Sequence, residues 1–166
     1  MTHTAALPVA QPAPLGLWVI HCDGSAIPNP GRMGLGATLL APDGQQHTLS
    51  HTSSLVGCNN EAELRALMAA LQQAHALGAR AIAVRSDSSL LIEQLRPPQP
   101  GQRPAAPIAR LAKLFDSARA LLARFDSVQW QWIPRHRNSA ADTLARAALG
   151  APAKVAPHPS HKKKKR

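Results

Sequence analysis

The chain has 166 residues, of which 45% are hydrophobic and 3% aromatic, and its net charge is +10 at pH 7. This length is enough to bury the core of one domain. No run of about eighteen apolar residues occurs, so we expect no membrane-spanning helix. The two cysteines, Cys22 and Cys58, are too few for a disulfide framework or a cysteine metal site, and they suit the reducing cytoplasm.

The positive charge is concentrated at one end of the chain. Residues 151–166 hold six of the Lys and Arg side chains and no acid, which leaves a net charge of +4 for the rest. This segment and the Pro/Ala-rich residues 1–15 have little apolar surface to bury, so both are predicted to be disordered. One domain is therefore expected over residues 16–150. The excess charge favours a nucleic-acid partner over a membrane surface.

The first part of this domain is predicted to contain three strands. Residues 17–23 are apolar on both faces, as in a buried strand. Residues 24–34 are rich in Gly and Pro and predict a long turn. Residues 35–41 and 46–53 flank the turn signal Pro42-Asp43-Gly44 and predict a hairpin.

The remainder of the domain is predicted to alternate between helices and strands. In chain order, the pattern predicts a helix over residues 60–77, a strand over 81–86, a short helix over 88–95, a helix over 108–125, a strand over 128–133 and a final helix that begins near Asn138. Residues 96–107 contain five prolines and predict a loop. This order predicts an α/β fold, with a mixed five-stranded sheet and helices packed on both faces.

Four acidic residues stand at strand ends and helix starts in this pattern. Asp23 and Asp87 each end a buried strand, whereas Glu63 and Asp142 lie in the first turns of two helices. Strand ends and helix starts converge on one rim of an α/β sheet. Carboxylates that meet there repel one another, and a divalent cation such as Mg²⁺ compensates for that repulsion. Two such ions about 3.5–4 Å apart can activate a water molecule and stabilise the leaving oxygen in phosphodiester cleavage.

Each acid also has a purely structural interpretation. Glu63 lies three residues after Asn60, which is the spacing of an N-terminal capping box, and Asp142 has the same spacing from a serine. Taken singly, capping is favoured for these two, and the two strand-end aspartates are evenly divided between turn residues and ligands. Only the four acids together favour a metal site.

Four blocks of residues resemble the ribonuclease H type 1 family and occur in the family's order. They are Asp23 to Gly31 with Gly34-Leu35-Gly36-Ala37, Asn59-Asn60-Glu61-Ala62-Glu63-Leu64-Arg65-Ala66-Leu67, Ser86-Asp87-Ser88, and Trp130-Gln131-Trp132 through Arg135-His136-Arg137-Asn138 to Ala141-Asp142-Thr143-Leu144-Ala145. The resemblance covers residues 17–149. It implies a ribonuclease H-like fold and a monomeric endonuclease that cuts the RNA strand of RNA–DNA hybrids, leaving 5′-phosphate and 3′-hydroxyl ends.

The resemblance also implies roles for individual residues. Asp23, Glu63, Asp87 and Asp142 would hold two Mg²⁺ ions, with Mn²⁺ able to replace them. The residues that would contact the hybrid are Gly24, Ser25, Asn29, Asn59, Asn60, Ser89, Arg135 and Asn138. Asn amides and the backbone of a Gly-rich segment can hydrogen-bond a 2′-hydroxyl, the group that distinguishes RNA from DNA. Helix capping is the structural alternative for the two adjacent asparagines.

The chain departs from the family pattern in three places. His136 stands only six residues before Asp142. It is interpreted equally well as a catalytic residue that assists proton transfer or product release and as an exposed phosphate contact between two arginines. The basic protrusion of some members is replaced by the Pro-rich loop at residues 96–107, as in a compact form. Cys58 stands where the family often has a small hydroxyl residue that contacts a phosphate.

The sequence leaves two further points open. Trp130 and Trp132 could stack on bases, but their spacing on a strand favours packing in the core. The leading alternative function is a non-catalytic nucleic-acid-binding module on the same fold, against which the presence of all four acids argues. A resolvase or integrase core is a third possibility, against which the asparagine pair argues.

Overall fold

The computed structural model describes residues 16–152, so the predictions for residues 1–15 and for most of the basic tail lie outside the described residues. The strands form one five-stranded sheet in the order β3-β2-β1-β4-β5, and they are β1 (Leu17–Ile27), β2 (Gly31–Leu40), β3 (Gln46–Gly57), β4 (Ala81–Ser86) and β5 (Ser127–Trp132). β2 is antiparallel to β1 and β3, whereas β4 is parallel to β1 and β5. The predicted mixed sheet is confirmed.

Four helices cover this sheet. They are α1 (Asn59–Ala76), α2 (Ser89–Leu95), α3 (Ala112–Leu122), which follows a 3₁₀ turn at Ala109–Leu111, and α4 (Ser139–Ala148). The main core lies between the sheet and the α1–α3 pair, where Ile20, Leu67 and Phe115 are at most 2% exposed. Among the helices of residues 16–152, none has both the length and the apolar character needed to cross a membrane.

Two glycines in the β1–β2 hairpin let helices approach the sheet from opposite sides. A Cβ atom at Gly24 would overlap the backbone of α1 at Ala62, and a Cβ atom at Gly36 would overlap the backbone of α4 at Ala141 and Ala145. Gly36 pairs with the residue that precedes Gly24 in β1, and successive strand residues face opposite sides of a sheet. Therefore α1 and α4 lie on opposite faces, which confirms the predicted arrangement of helices.

The predicted turn at residues 24–34 is wrong. β1 continues to Ile27 and pairs with Arg32 at the start of β2, so only residues 28–30 form the turn. Gly24 and Gly34 make room for α1 and α4 and do not break the strands. The ends of two other elements also differ, because β3 extends to Gly57 and the helix predicted over residues 108–125 begins with a 3₁₀ turn and ends at Leu122.

We expect Gly36→Ala to destabilise the protein by about 1–3 kcal/mol, the usual cost of overpacking a close contact. A decrease in the free energy of unfolding is diagnostic, because replacing Gly by Ala at a compatible position usually stabilises a protein by reducing the entropy of the unfolded chain. Urea unfolding of both proteins measures the difference. An unchanged or higher stability would mean that α4 does not contact β2 as closely as described.

Candidate active site

Asp23 lies at the centre of a cluster of acidic side chains. It pairs with Gly36 in the sheet and so faces α4, whose first turn carries Asp142. The carboxyl group of Asp142 is within hydrogen-bonding reach of Asp23, and the charges of Asp87 and Glu63 also act on Asp23. The structure thus brings the four predicted acids together from β1, α1, the end of β4 and α4.

The environment of this cluster disfavours negative charge. Asp23 is 8% exposed, and burial raises its pKa to about 8, with further contributions from Asp87, Asp142 and Glu63. Burial likewise raises the pKa of Glu63, although a hydrogen bond with Ser88 and the positive charge of Arg135 oppose that shift. The neighbouring acids therefore make Asp23 harder to ionise, and Asp87 has the same effect on Glu63.

The capping interpretations of the acids are wrong. The N-cap residue of α1 is Cys58, and neither α1 nor α4 has a side-chain cap. Glu63 instead interacts with the hydroxyl of Ser88, the N-cap residue of α2, which accepts a hydrogen bond from Leu91 N at 3.2 Å. Asp23 is also no turn residue, because the strand continues four residues beyond it.

Asn29 and Asn59 are connected at the edge of this cluster. The Oδ1 atom of Asn29 accepts a hydrogen bond from the backbone N of Asn59 at 3.1 Å. The Oδ1 atom of Asn59 accepts one from the backbone N of Ala26 at 2.8 Å, so it connects α1 to β1 and does not cap its own helix. Asn29, Asn59 and Ser89 are exposed, and Ser25 and Asn60 are half-buried.

Two of the predicted substrate contacts are buried. Asn138 is 1% exposed, and its amide nitrogen donates to Asp87 Oδ1 at 2.8 Å and to the Cys22 carbonyl oxygen at 3.0 Å. It therefore supports the acidic cluster from behind. Gly24 is also buried, because α1 covers it.

The turn before α4 brings positive charge to the cluster. Arg135 is 84% exposed, and its Nε atom lies 3.5 Å from Asp87 Oδ2. His136 is exposed on the same 3₁₀ turn, Arg135–Arg137. Both interpretations of His136 stay predictions.

Sequence reasoning missed two supports of the loop that carries Asp87. Trp132 was expected in the core but is 56% exposed, and its Nε1 atom donates to the backbone oxygen of Asp87 at 3.3 Å. Trp130 is only partly buried, although it packs against the core as expected. The supporting role of Asn138 was missed as well, and the only hint in the sequence was its place one helical turn before Asp142.

A guanidinium group lies at the start of α1, close to the asparagines. Arg110 Nη1 lies 3.1 Å from Cys58 Sγ. Although burial opposes the shift, hydrogen bonds from Arg110 and from the backbone nitrogens of Glu61 and Asn60 lower the pKa of the Cys58 thiol. These donors make this helix end attractive to negative charge.

The donor set of the cluster fits a hard divalent cation. It contains only carboxylate oxygens, which suit Mg²⁺, whereas structural zinc sites use nitrogen and sulfur ligands. In the part of the chain that the structure describes, no three His, Cys, Asp or Glu side chains are already arranged to ligate one ion. Mg²⁺ does not need such a cage, because it is usually bound by one or two carboxylates together with waters and substrate phosphates.

The acidic cluster is separate from a cavity of about 820 Å³ between the Pro-rich loop, α2, α3 and β5. The lining of that cavity includes Arg103, Arg119 and Trp130 but none of the four acids. We therefore assign the chemistry to the acidic cluster.

Comparison with known proteins places the chain in a family. A family model described as reverse transcriptase-like matches residues 21–148. Ribonuclease HI of Halobacterium salinarum is 34% identical over 143 residues, which are 85% of this chain and 68% of that protein. The chain belongs to the ribonuclease H type 1 family. The crystal structure of RNase H1 from H. salinarum NRC-1 matches 81% of this chain and 98% of its own, with a TM-score of 0.72.

Two other ribonucleases H are similar over most of the chain. The bifunctional protein Rv2228c of Mycobacterium tuberculosis is 38% identical over 140 residues, and the chain spans 37% of the length of that relative. LC11-RNase H1, solved in complex with an RNA/DNA hybrid, is 27% identical, with 80% of this chain and 96% of that chain covered and a TM-score of 0.67. The predicted family and fold are therefore confirmed.

We expect the buried carboxyl group of Asp23 to lower the stability of the metal-free protein as the pH rises from about 4 towards 8. The pKa of Asp23 is about 8 in the folded protein and about 3.9 in an unfolded chain. Between these values the folded state binds more protons, so its stability falls as the pH rises. At pH 8, the free energy of unfolding of the Asp23→Asn variant should be at least about 1.4 kcal/mol higher than that of the unaltered protein, which is the equivalent of one pKa unit.

Urea unfolding at pH 5 and pH 8 in the presence of a chelator measures this difference. Asp116→Asn is the matched control, because the Asp116 side chain is 77% exposed on α3. If the Asp23 and Asp116 variants had the same pH dependence, the crowding of carboxylates around Asp23 would be contradicted.

Proposed function

We propose that this protein is an endonuclease that hydrolyses the RNA strand of RNA–DNA hybrids. The observation that carries the proposal is the meeting of four carboxylates around the buried Asp23. The names of its relatives support the substrate, since they include ribonuclease HI and an RNase H1 solved with an RNA/DNA hybrid. We further propose that it acts as a monomer in the cytoplasm and leaves 5′-phosphate and 3′-hydroxyl ends.

The proposed cofactors are two Mg²⁺ ions, which Mn²⁺ could replace, held by Asp23, Glu63, Asp87 and Asp142. When bound, the ions supply an activated water molecule and a positive charge for the leaving oxygen. The chain contributes the shape of the site. Asp23 is held in the sheet with Asp142 beside it, and the charges of Asp87 and Glu63 also act on it.

The selection of RNA would depend on amide donors. The Oδ1 atoms of Asn29 and Asn59 already accept hydrogen bonds from the protein, at 3.1 and 2.8 Å. Their NH₂ groups are the donors that remain, and a donor can bind a 2′-hydroxyl oxygen or a base acceptor in the minor groove. Asn60, Ser25 and Ser89 would add contacts along the same surface.

Phosphate contacts would position the hybrid without reading its sequence. The exposed cations available for this are Arg110, near the start of α1, and Arg135, beside the acids. His136 is proposed to assist proton transfer or to contact a phosphate, and the exposed turn allows either role.

We expect Asp23→Asn and Asp87→Asn to lower the rate of hybrid cleavage by roughly 10³-fold, because bound metals supply several kcal/mol and each 1.4 kcal/mol is tenfold. Binding of the hybrid should remain measurable in both variants. The assay uses a labelled RNA–DNA hybrid, a double-stranded RNA and a double-stranded DNA, each with and without Mg²⁺. Only the hybrid with Mg²⁺ should be cut.

Asp116→Asn is again the control, and it should cleave at the normal rate because its side chain lies on the exposed surface of α3. Near-normal cleavage by either active-site variant would rule out the proposed ligands. Binding of the hybrid without cleavage by the unaltered protein would favour the non-catalytic module.

We expect truncation after Pro152 to weaken hybrid binding and its salt dependence without changing the chemical step. The truncation removes all six positive charges of the tail and keeps the hydrogen bond from Arg146 Nε to the Pro152 oxygen at 2.7 Å. Each lost phosphate contact should reduce the slope of log affinity against log salt by about 0.7–0.9. Affinities at several salt concentrations and single-turnover rates measure both effects, and an unchanged slope would show that the tail does not bind the hybrid.

A further inference from the structure

The two oxygens of Asp87 have different partners. Oδ1 accepts a hydrogen bond from the Asn138 amide at 2.8 Å, and Oδ2 lies 3.5 Å from Arg135 Nε. Both partners belong to the short segment that leads into α4. They differ in exposure, since Asn138 is buried and the Arg135 side chain is 84% exposed.

Asn138 is built into the frame of the site. Its amide nitrogen donates to Asp87 and also, at 3.0 Å, to the backbone oxygen of Cys22, the neighbour of Asp23. Its own backbone oxygen accepts from Asp142 N at 3.1 Å. One residue thus connects the three segments that carry Asp23, Asp87 and Asp142.

The oxygen atom of the Asn138 side chain indicates that this arrangement costs free energy. Its Oδ1 atom is buried and has no hydrogen-bond partner among the described residues. A buried acceptor without a partner is unfavourable, and such groups are found where function requires them. A residue that served only the packing of this region would not need an amide.

Arg135 makes a different kind of contact. Its Nε atom is farther from the carboxylate than in a good hydrogen bond. An ion pair with so exposed a partner is weak and easily broken. The guanidinium group nevertheless places a positive charge beside Asp87 and Glu63.

We propose that Asn138 and Arg135 act on different oxygens of Asp87. Asn138 is a positioning residue that holds Oδ1, and Arg135 occupies Oδ2 in competition with a divalent cation. This inference rests on the proposed function, because it takes Asp87 as a metal ligand. Asn138 leaves one oxygen of fixed direction available for the cation. Arg135 neutralises that oxygen until the cation displaces it.

The proposal requires that the two residues have opposite effects on cation affinity. Removal of the Asn138 amide should weaken Mn²⁺ binding by about 10- to 100-fold, as is typical when a hydrogen-bonding partner of a metal ligand is lost. Removal of the Arg135 charge should strengthen Mn²⁺ binding by about 2- to 5-fold, since the ion pair that must be broken is weak. A merely structural role for either residue would not produce this pair of opposite changes.

The experiment measures Mn²⁺ binding by calorimetry on the full chain without nucleic acid, in about 0.15 M salt, where distant charges are largely screened. The variants are Asn138→Leu, which is of similar size but has no donor, and Arg135→Gln. The matched control is Arg137→Gln, because Arg137 is exposed on the same 3₁₀ turn. The control should bind Mn²⁺ nearly as the unaltered protein does.

Thermal unfolding in a chelator shows whether each variant folds. If Asn138→Leu does not fold, the comparison of Arg135→Gln with Arg137→Gln decides, since both positions are exposed. Equal Mn²⁺ affinity in those two variants, or normal affinity in a folded Asn138→Leu, would overturn the proposal. Opposite shifts in a protein that does not cleave hybrids would support it while refuting the proposed function.

Discussion

The site depends on how closely two helices approach the β1–β2 hairpin. Gly24 admits the backbone of α1 on one face, and Gly36 admits that of α4 on the other. Side chains at these positions would push the helices away and would separate Glu63 and Asp142 from Asp23. The distance between helix and sheet therefore sets the distance between carboxylates. Gly24 follows Asp23 in β1, and Gly36 pairs with Asp23 in β2. These few neighbouring residues therefore determine how both helices approach the site.

The hydrophobic core supplies the free energy that holds this cluster together. The cluster is unfavourable by itself, since burial and neighbouring charges keep the pKa of Asp23 far above its usual value. On the face of the sheet that α1 and α3 cover, the core contains fully buried Ile, Leu and Phe side chains. Each of them contributes about 1.5–3 kcal/mol on burial. The proposed cations would relieve this repulsion and would couple metal binding to folding stability.

Positive charges lie in the site itself, near it and at the end of the chain. Arg135 touches the acids, Arg110 lies at the start of α1 beside the asparagines, and the last residues of the chain carry most of the net charge. A mildly basic domain with a strongly basic tail can combine specific contacts near the scissile phosphate with salt-sensitive, sequence-independent attraction to the rest of the duplex. This arrangement suits an enzyme that recognises the type of nucleic acid and not its sequence.

The sequence by itself determined the order of the elements, the sheet class and the four acids, because these depend on local periodicity and on motifs that the chain carries in full. It did not show that residues 24–27 continue a strand, since a glycine can either break a strand or make room for a helix, and only the position of α1 distinguishes the two. The sequence also did not show which side chains and backbone groups Glu63 and Asn138 contact. Their partners, Ser88 for Glu63 and Cys22 and Asp87 for Asn138, are distant along the chain. Which side chain is buried against which depends on contacts between remote segments, and only the tertiary structure decides those contacts.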